Sequence, residues 1–400
     1  MRILITTYRY PSHVHSADRH TVYRLIKHLS KNHKVYIAAP VKDKAEAEMT
    51  DLLEPYCEKI YTPIRTKVSS FMSTCKKIFS SDPLQMGYFS CPELRKMIPK
   101  IVKENSIDIL YGYHLRSSQN MLDVQDIPKI IALQPAQILH FSRRVERIKN
   151  PFMRAIYGEE HRRLIGFERK VAEYFDKALL ISETDRHAID PEKTLNNVMF
   201  SPHGTDVDYF TPPKDDFKKD PATLIFTGAL SIDTNSSAVH YFYEKIFPIV
   251  KKEIPEIKFL IVGSKPPGSV QRLADDPAVT VTGFVEEMLP YLHQATVGLD
   301  PLLIGAGLQN KMLEGMAAGL PMVVTPVANE GIGAEHGKEV LVAKDEKSFA
   351  QEVVELINNP ERQREIGENA REYICRKWTW EYYFSELEEV METLITDKNQ

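Results

Sequence analysis

Cysteine is scarce in this chain. There are four, Cys57, Cys75, Cys91 and Cys375, with no C-x-x-C pair and no histidine at zinc-ligand spacing. That excludes a disulfide scaffold and a thiolate metal site, and it fits the reduced thiols of a cytoplasmic protein. Long apolar runs are missing as well. No stretch approaches the ~18 residues that span a bilayer, and the first residues, MRILITTYRYP, lack the extended apolar core of a secretory signal. The loop after the first apolar run, YRYPSHVHSADRH, contains no glycine at all.

What is present suits a globular protein of two domains. Four hundred residues exceed one ordinary core, and 43% hydrophobic with 26% charged residues leaves no disordered tail to expect. The net charge of −4 hides an asymmetry: residues 1–200 hold 32 Lys+Arg against 23 Asp+Glu, and residues 201–400 hold 19 against 32. A basic first half implies an anionic partner or a membrane surface, unless this is simple surface variation between domains. The expected location is cytoplasmic, with peripheral contact on the inner face of the membrane. No nucleic-acid partner is expected.

Apolar strands and amphipathic helices alternate along the chain. Arg2–Thr7, Lys34–Ala39, Ile107–Tyr113 and Lys129–Gln134 read as buried strands, with a helix over Thr21–Ser30 between the first two. This is the opening of a doubly wound α/β domain, in which ligands gather at the carboxyl ends of strands. The loop with His13, His15, Arg19 and His20 is therefore a site candidate, and a polar surface loop is the plainer alternative. Residues 41–105 show only a strand near Ile60 and a helix from Pro92 to Glu104. Residues 140–170 carry nine Lys+Arg, Arg143 and Arg144 among them, against four Glu, interspersed with Phe152, Ile156, Leu164, Ile165 and Phe167. They predict helices with a basic face, either simply solvated or placed on anionic lipid or a bound diphosphate. Pro212, Pro213 and KDDFKKDP mark a linker, after which the alternation restarts with Thr223–Phe226, a turn at Gly228, a helix over Ala238–Glu253, and Lys258–Val262 ending at Gly263.

The stretch that organises the rest is VGLDPLLIGAGLQNKMLEGMAAGLPMVVTPVAN, residues 297–329. A buried strand over Val297–Leu303, a loop with Gly305 and Gly307, a helix beginning near Leu308 and a glycine cap at Gly319 make one βαβ unit. A helix N-terminus reached through glycines is a ready anion site. Lys311 stands in the first helical turn, where the helix dipole disfavours a cation by up to ~1 kcal/mol, so an anion nearby would explain it. Glu314 follows one turn later, placed to accept hydrogen bonds from sugar hydroxyls. Lys311 and Glu314 could equally be a solvated surface pair.

The segment NKMLEGMAAGLPMVVT, with TGAL upstream and VTGFVEE between, resembles the donor-binding half of the GT-B glycosyltransferases, most closely glycosyltransferase family 4 with its NK-x-LE-x-MA-x-G-x-P pattern. The resemblance implies an α/β fold of two Rossmann-like doubly wound domains facing a central cleft. The expected N-terminal domain is 1–205, joined by a terminal helix, 379–400, that crosses back to it, and the donor-binding domain is 206–378. The donor would be a nucleotide-diphosphate sugar, with no separate cofactor, and the acceptor a saccharide or lipid-linked saccharide. Transfer would retain configuration and serve surface polysaccharide or glycoconjugate assembly.

Carried over residue by residue, the donor side comprises Gly228, Gly263, Phe284, Val285, Gly305, Gly307, Leu308, Gln309, Asn310, Lys311 and Glu314. His114, at the carboxyl end of Ile107–Tyr113, takes the place of a family histidine that contacts the transferred sugar, with Tyr113 as the adjacent alternative. His114, Lys311 and Glu314 are thus the catalytic candidates, and His15, Arg19, Arg143 and Arg144 form the acceptor side. The family's E-x7-E motif is incomplete, because Ala306 stands where the first Glu belongs, and Ala229 and Asn235 occupy the region of its usual Arg and Lys. Lys311 and the helix N-terminus are left to stabilise the leaving diphosphate. No D-x-D-type pair stands at a strand end, so no metal is expected. A nucleotide-sugar epimerase of the same architecture, or a non-catalytic nucleotide-sugar binder, remains as an alternative.

Overall fold

Strands without a polar face must be covered on both sides, and this chain contains two sets of them. A computed structural model describes residues 1–11, 17–47, 52–148, 150–214, 220, 222–304 and 308–398. The chain divides into two units, Met1–Pro202 with Tyr383–Gln400, and His203–Tyr382.

In the first unit the strands are β1 (Arg2–Thr7), β2 (Lys34–Ala38), β3 (Lys59–Tyr61), β4 (Ile109–Tyr113), β5 (Lys129–Ala132), β6 (Lys177–Leu180) and β7 (Val198–Phe200). They form one parallel sheet in the order 3-2-1-4-5-6-7. Register is set by the apolar core, with Ile3, Leu4 and Ile5 of β1 opposite Val35, Tyr36 and Ile37 on one side and Ile109, Leu110 and Tyr111 on the other. The last helix, Trp380–Lys398, gives its residues from Tyr383 onward to this unit. There Leu387 and Met391 are buried, and the Glu388 carboxylate meets His28 Nε2 at 3.2 Å and also contacts His33 Nε2.

The second unit has β8 (Thr223–Thr227), β9 (Lys258–Val262), β10 (Val279–Gly283), β11 (Val297–Asp300), β12 (Met322–Val324) and β13 (Leu341–Val342), parallel in the order 10-9-8-11-12-13. In both sheets the order reverses beside the first strand, between β1 and β4 and between β8 and β11. Those reversals are where doubly wound proteins bind ligands. Segment 203–214, expected to lie near a linker, belongs to the second unit. Arg371 donates to the carbonyl oxygens of Val207, Phe210 and Ala317 and so fastens it to the sheet's helices.

Several boundaries differ from expectation. The central strand ends at Asp300, because Pro301 cannot continue the ladder, and its helix begins at Asn310. The helix expected over Ala238–Glu253 starts at Asp233 and contains one π turn, Phe242–Ile246. Among the described residues, 41–105 hold further helices at Lys44–Ala47, Lys67–Ile78 and Leu84–Tyr88.

Candidate functional site

The second unit's strands deliver their carboxyl ends to one concavity of about 270 Å³. Thr227 ends β8 and Gly228 and Ala229 follow it, Gly263 and Ser264 follow β9, Phe284, Val285 and Met288 follow β10, and Asn310, Lys311 and Glu314 open the helix after β11. Two glycines make the floor. A Cβ on Gly263 would lie 1.8 Å from the Gly228 carbonyl oxygen, and Gly228 itself has φ +150°. Only backbone without side chains allows the two turns to meet.

Lys311 is the centre of the polar network. It is buried, and its Nζ lies 3.2 Å from Asp300 Oδ2, 2.9 Å from Gln309 Oε1 and 3.4 Å from Asn235 Oδ1, over the Phe226 ring at 5.4 Å. Asn235 Nδ2 in turn donates to the Ala229 carbonyl, linking the turn after β8 to the lysine. The reading of Lys311 and Glu314 as a surface pair is therefore corrected: Lys311 is inside and Glu314 half-buried. An anion does sit beside Lys311, and it is Asp300 of the chain itself. Burial pushes the Asp300 carboxyl up to about 6 against the opposing pull of Lys311, and pushes Glu314 up to about 7 against the same pull. A pinned ammonium beside an exposed Phe284, at a switch point, is a chemistry for an anionic group attached to an aromatic base.

The structure brings together Gly228, Gly263, Phe284, Val285, Asn310, Lys311 and Glu314. Gln309 touches the network through Lys311, whereas Leu308 is half-buried and does not line the concavity. Gly305 and Gly307 lie outside the described residues, as does His15. Thr227, Ala229, Ser264, Met288 and Asp300 join the site unforeseen. Of these, Asp300 left a visible signal, a carboxylate inside an apolar strand.

On the first unit His114 sits directly after β4 with φ +74°, nearly fully buried. Its Nδ1 accepts the Arg116 backbone N–H at 3.2 Å, and its ring lies 4.5 Å from that of Tyr8. Arg19 departs from its expected role, being buried and ion-paired to Glu46 at 3.1 Å. Arg144 is exposed and stacks over Tyr157 at 4.7 Å, while the Arg143 side chain lies outside what is described. The basic face expected over residues 140–170 is smaller than its composition. Arg162 and Arg163 both grip Glu159, Arg163 also donates to the carbonyls of Lys77, Ser80 and Asp82, and Arg169 pairs with Asp190. Among the described residues no group of three or more His, Cys, Asp or Glu is placed to hold a metal, and no helix is long and apolar enough to cross a membrane.

Comparison with known proteins bears on the same part of the chain. Residues 221–359 match the family model of the glycosyl transferases group 1. A curated relative, an uncharacterized 44.6 kDa protein in the cps region of Klebsiella pneumoniae, is 24% identical over 84% of this chain and 89% of its own length. Among solved structures, the chain is similar to sucrose-phosphate synthase from Thermosynechococcus elongatus (TM-score 0.65, 14% identity, 99% of this chain and 100% of that one). It is also similar to Anabaena HepE in complex with UDP (TM-score 0.62, 12% identity, 98% and 100%) and to a glycosyltransferase from Rickettsia africae (TM-score 0.62, 11% identity, 98% and 98%). With its two parallel Rossmann-like sheets, the chain has the GT-B fold, and its second unit matches the glycosyl transferases group 1 model.

Proposed function

We propose that the protein is a glycosyltransferase that moves a sugar from a nucleotide-diphosphate sugar to an acceptor hydroxyl. The carrying observation is the concavity around Lys311, at the switch point of the unit that matches the family model. In this reading the base lies against Phe284 and Val285 and the diphosphate reaches Lys311 and the backbone N–H groups at Asn310. Glu314 accepts from sugar hydroxyls. The acceptor oxygen bonds to the anomeric carbon as the bond from that carbon to the diphosphate oxygen breaks, the hydroxyl proton passes to the departing diphosphate, and the nucleoside diphosphate leaves with the remaining charge that Lys311 stabilises. Asp300 holds the ammonium in place beforehand, so that little reorganisation is needed at reaction. His114 is assigned to the transferred sugar, supported by its place at the carboxyl end of β4.

Retention of configuration and the family 4 assignment belong to the same proposal and rest on the motif resemblance; independence of metal belongs to it too and rests on the charge that Lys311 supplies. A role in surface polysaccharide assembly is supported by the cps-region relative. The test is thermal stabilisation by UDP-, GDP-, ADP- and dTDP-sugars. A donor at 100 times its Kd contributes about 2.7 kcal/mol, and Lys311→Ala and Glu314→Ala are expected to lose it. No response from wild type, or variants that respond like wild type, refutes the assignment. Turnover that needs an acceptor separates transfer from epimerisation, and release of nucleoside diphosphate separates it from binding alone.

A second reading concerns location: peripheral contact with an anionic membrane through the helix Lys67–Ile78. This helix is amphipathic in reverse. Val68, Phe71, Met72, Cys75 and Ile78 follow helical spacing, and Val68, Phe71, Met72, Ile78 and the following Phe79 are exposed, Phe79 at 92%. Its small polar side faces inward instead: Ser70 is buried, and Gly87 lies so close that a Cβ there would be 2.6 Å from the Ser73 carbonyl oxygen. From Lys59 to Ser81 there are five Lys+Arg and no Asp or Glu. An apolar ridge flanked by lysines suits an acidic bilayer surface. Wild type should sediment with vesicles containing phosphatidylglycerol and not with pure phosphatidylcholine, and Phe71→Ser with Phe79→Ser should abolish it. Vesicle binding unchanged in that variant, or a self-association that the variant removes with no vesicle binding by wild type, sinks this reading.

A further inference from the structure

Among the described residues of the second unit, Lys265 is the one residue other than glycine with a positive φ, +54°. The conformation is unfavourable on two counts. A side chain with a Cβ is crowded in the left-handed region, and a residue before proline, here Pro266, favours extended backbone. Strain of this kind persists where the surroundings over-determine it, and it gathers at ligand sites.

The surroundings are specific. Gly263 N–H donates to the Gly283 carbonyl at 3.2 Å and the Ser264 carbonyl accepts from Leu230 N–H at 3.0 Å, so the end of β9 is tied to the turns after β10 and β8. On the other side the Pro267 carbonyl accepts from the N–H groups of Val270 and Gln271, and Gln271 Nε2 donates to the Pro266 carbonyl at 3.0 Å. Lys265 links the two fixed pieces. It is exposed, and no described residue forms an ion pair or hydrogen bond with its ammonium, although Glu286 and Glu287 stand exposed in the loop after β10.

The concavity beside it has no surplus positive charge. Ser264 lines it, and the Cα of Lys265 is only about 3.8 Å further along the chain. Of the described lining residues Lys311 is the one cation, and it already faces Asp300 at 3.2 Å, with Glu314 a second carboxyl in the lining. A diphosphate entering there adds negative charge to two carboxyls and one ammonium. The strand order 10-9-8-11 places Lys265, after β9, between Phe284, after β10, and Lys311, after β11. A nucleotide with its base on Phe284 and its outer phosphate at Lys311 carries its inner phosphate past the end of β9.

We infer that Lys265 binds the phosphate that bears the nucleoside, supplying the positive charge that Asp300 withholds from Lys311. This rests on the nucleotide-sugar reading of the concavity. The division of labour is new to it: Lys311 serves the phosphate that leaves with the sugar bond, and Lys265 the inner one.

The experiment is calorimetric binding of UMP, GMP, AMP and dTMP and of the matching diphosphates. The proteins are wild type, Lys265→Gln, Lys265→Arg, Lys265→Gly, Lys311→Ala and Arg272→Gln. Arg272, whose Nη1 lies 3.8 Å from the Cβ position of Gly268 in the same connection, controls for a change of charge alone. For the base that binds wild type, Lys265→Gln should weaken monophosphate and diphosphate alike by about tenfold, the worth of one charge-assisted hydrogen bond. Lys265→Arg should keep most of the affinity and Arg272→Gln all of it, while Lys311→Ala should weaken the diphosphate more than the monophosphate. Lys265→Gly should bind as weakly as Lys265→Gln yet melt no lower than wild type, because the relieved strain offsets glycine's chain entropy. Unchanged affinity in Lys265→Gln, an equal loss in Arg272→Gln, or a loss in Lys265→Gly that Lys265→Gln does not share overturns the inference, and binding that still depends on Lys311 then leaves the donor reading standing. If no nucleotide binds wild type, the donor reading falls and this inference with it.

Discussion

Lys311 Nζ and Asp300 Oδ2 stand 3.2 Å apart, with Asp300 completely buried at the end of β11 and Lys311 in the first turn of the next helix. The pair joins strand to helix across a loop and fixes an ammonium at the head of the concavity. Neither charge could be there alone, since a single buried ion is costly where a pair is tolerated.

Removing one partner should therefore cost more than removing both. Asp300→Ala is expected to destabilise the protein by about 3–5 kcal/mol, and Asp300→Ala with Lys311→Met to recover much of that. Urea unfolding of the two single variants and the double variant gives the coupling. Costs that simply add would show that the ion pair is not the organising contact.

Glu314 gives a pH signature. Its folded-state pKa is pushed from 4.5 up to about 7 by burial, Lys311 opposing. A carboxyl raised in this way contributes stability that is fully present below 4.5 and is lost as pH rises through about 7. Glu314→Gln does not ionise, so relative to wild type it should gain stability from pH 5 to pH 8, on the order of 1–3 kcal/mol. A melting-temperature difference that stays flat over that interval would contradict the burial of this carboxyl.

The glycine floor can be tested by two alanines. Gly263→Ala places a methyl 1.8 Å from the Gly228 carbonyl oxygen, so the turns must separate. A stability loss of about 1–3 kcal/mol and at least tenfold weaker nucleotide-sugar binding are expected. Gly283→Ala meets no atom within 4 Å but sits at φ +76°, which costs about 1–2 kcal/mol in backbone strain and should leave the floor intact. Titration of both variants with the stabilising nucleotide sugar distinguishes steric closure from general destabilisation.

Glu388 anchors the terminal helix to the first unit. Burial pulls its pKa upward, but hydrogen bonds from His33 and His28 outweigh that and hold the carboxyl below its usual range. A depressed carboxyl stabilises above its open-chain value of 4.5 and loses that contribution as pH falls through the folded value. Glu388→Gln should cost about 1–2 kcal/mol at pH 6 and nothing further once the pH is well below 4.5. Hydrogen-exchange protection of Tyr383 to Lys398, followed against pH, reads this directly.

Much of the lining of the concavity was legible in the sequence for a simple reason. Its residues are either glycines that end strands, Gly228 and Gly263, or polar residues that open a helix, Asn310, Lys311 and Glu314, and local pattern reports both. Asp300 was visible but was read as one more position in an apolar strand, because the pairing that makes a buried carboxylate tolerable comes from the next element. Arg19 and the arginines of residues 140–170 misled in the opposite way. Composition counts their charges, but Glu46, Glu159, Asp190 and the carbonyls capped by Arg163 consume several of them. Helix Lys67–Ile78 escaped notice because its apolar side points outward, so that periodicity alone cannot say which face is the core.

By itself, the sequence determined two parallel α/β units, the order of their strands along the chain and the glycine turns at the strand ends. All of these follow from local burial pattern and backbone freedom. Tertiary structure alone decided which charges are paired and which meet in space. Asp300 reaches Lys311, and Arg9, Arg65 and Arg116 converge on Phe89 from three separate loops. Electrostatic contacts depend on distance and burial, and in a parallel sheet both are set by which strands become neighbours.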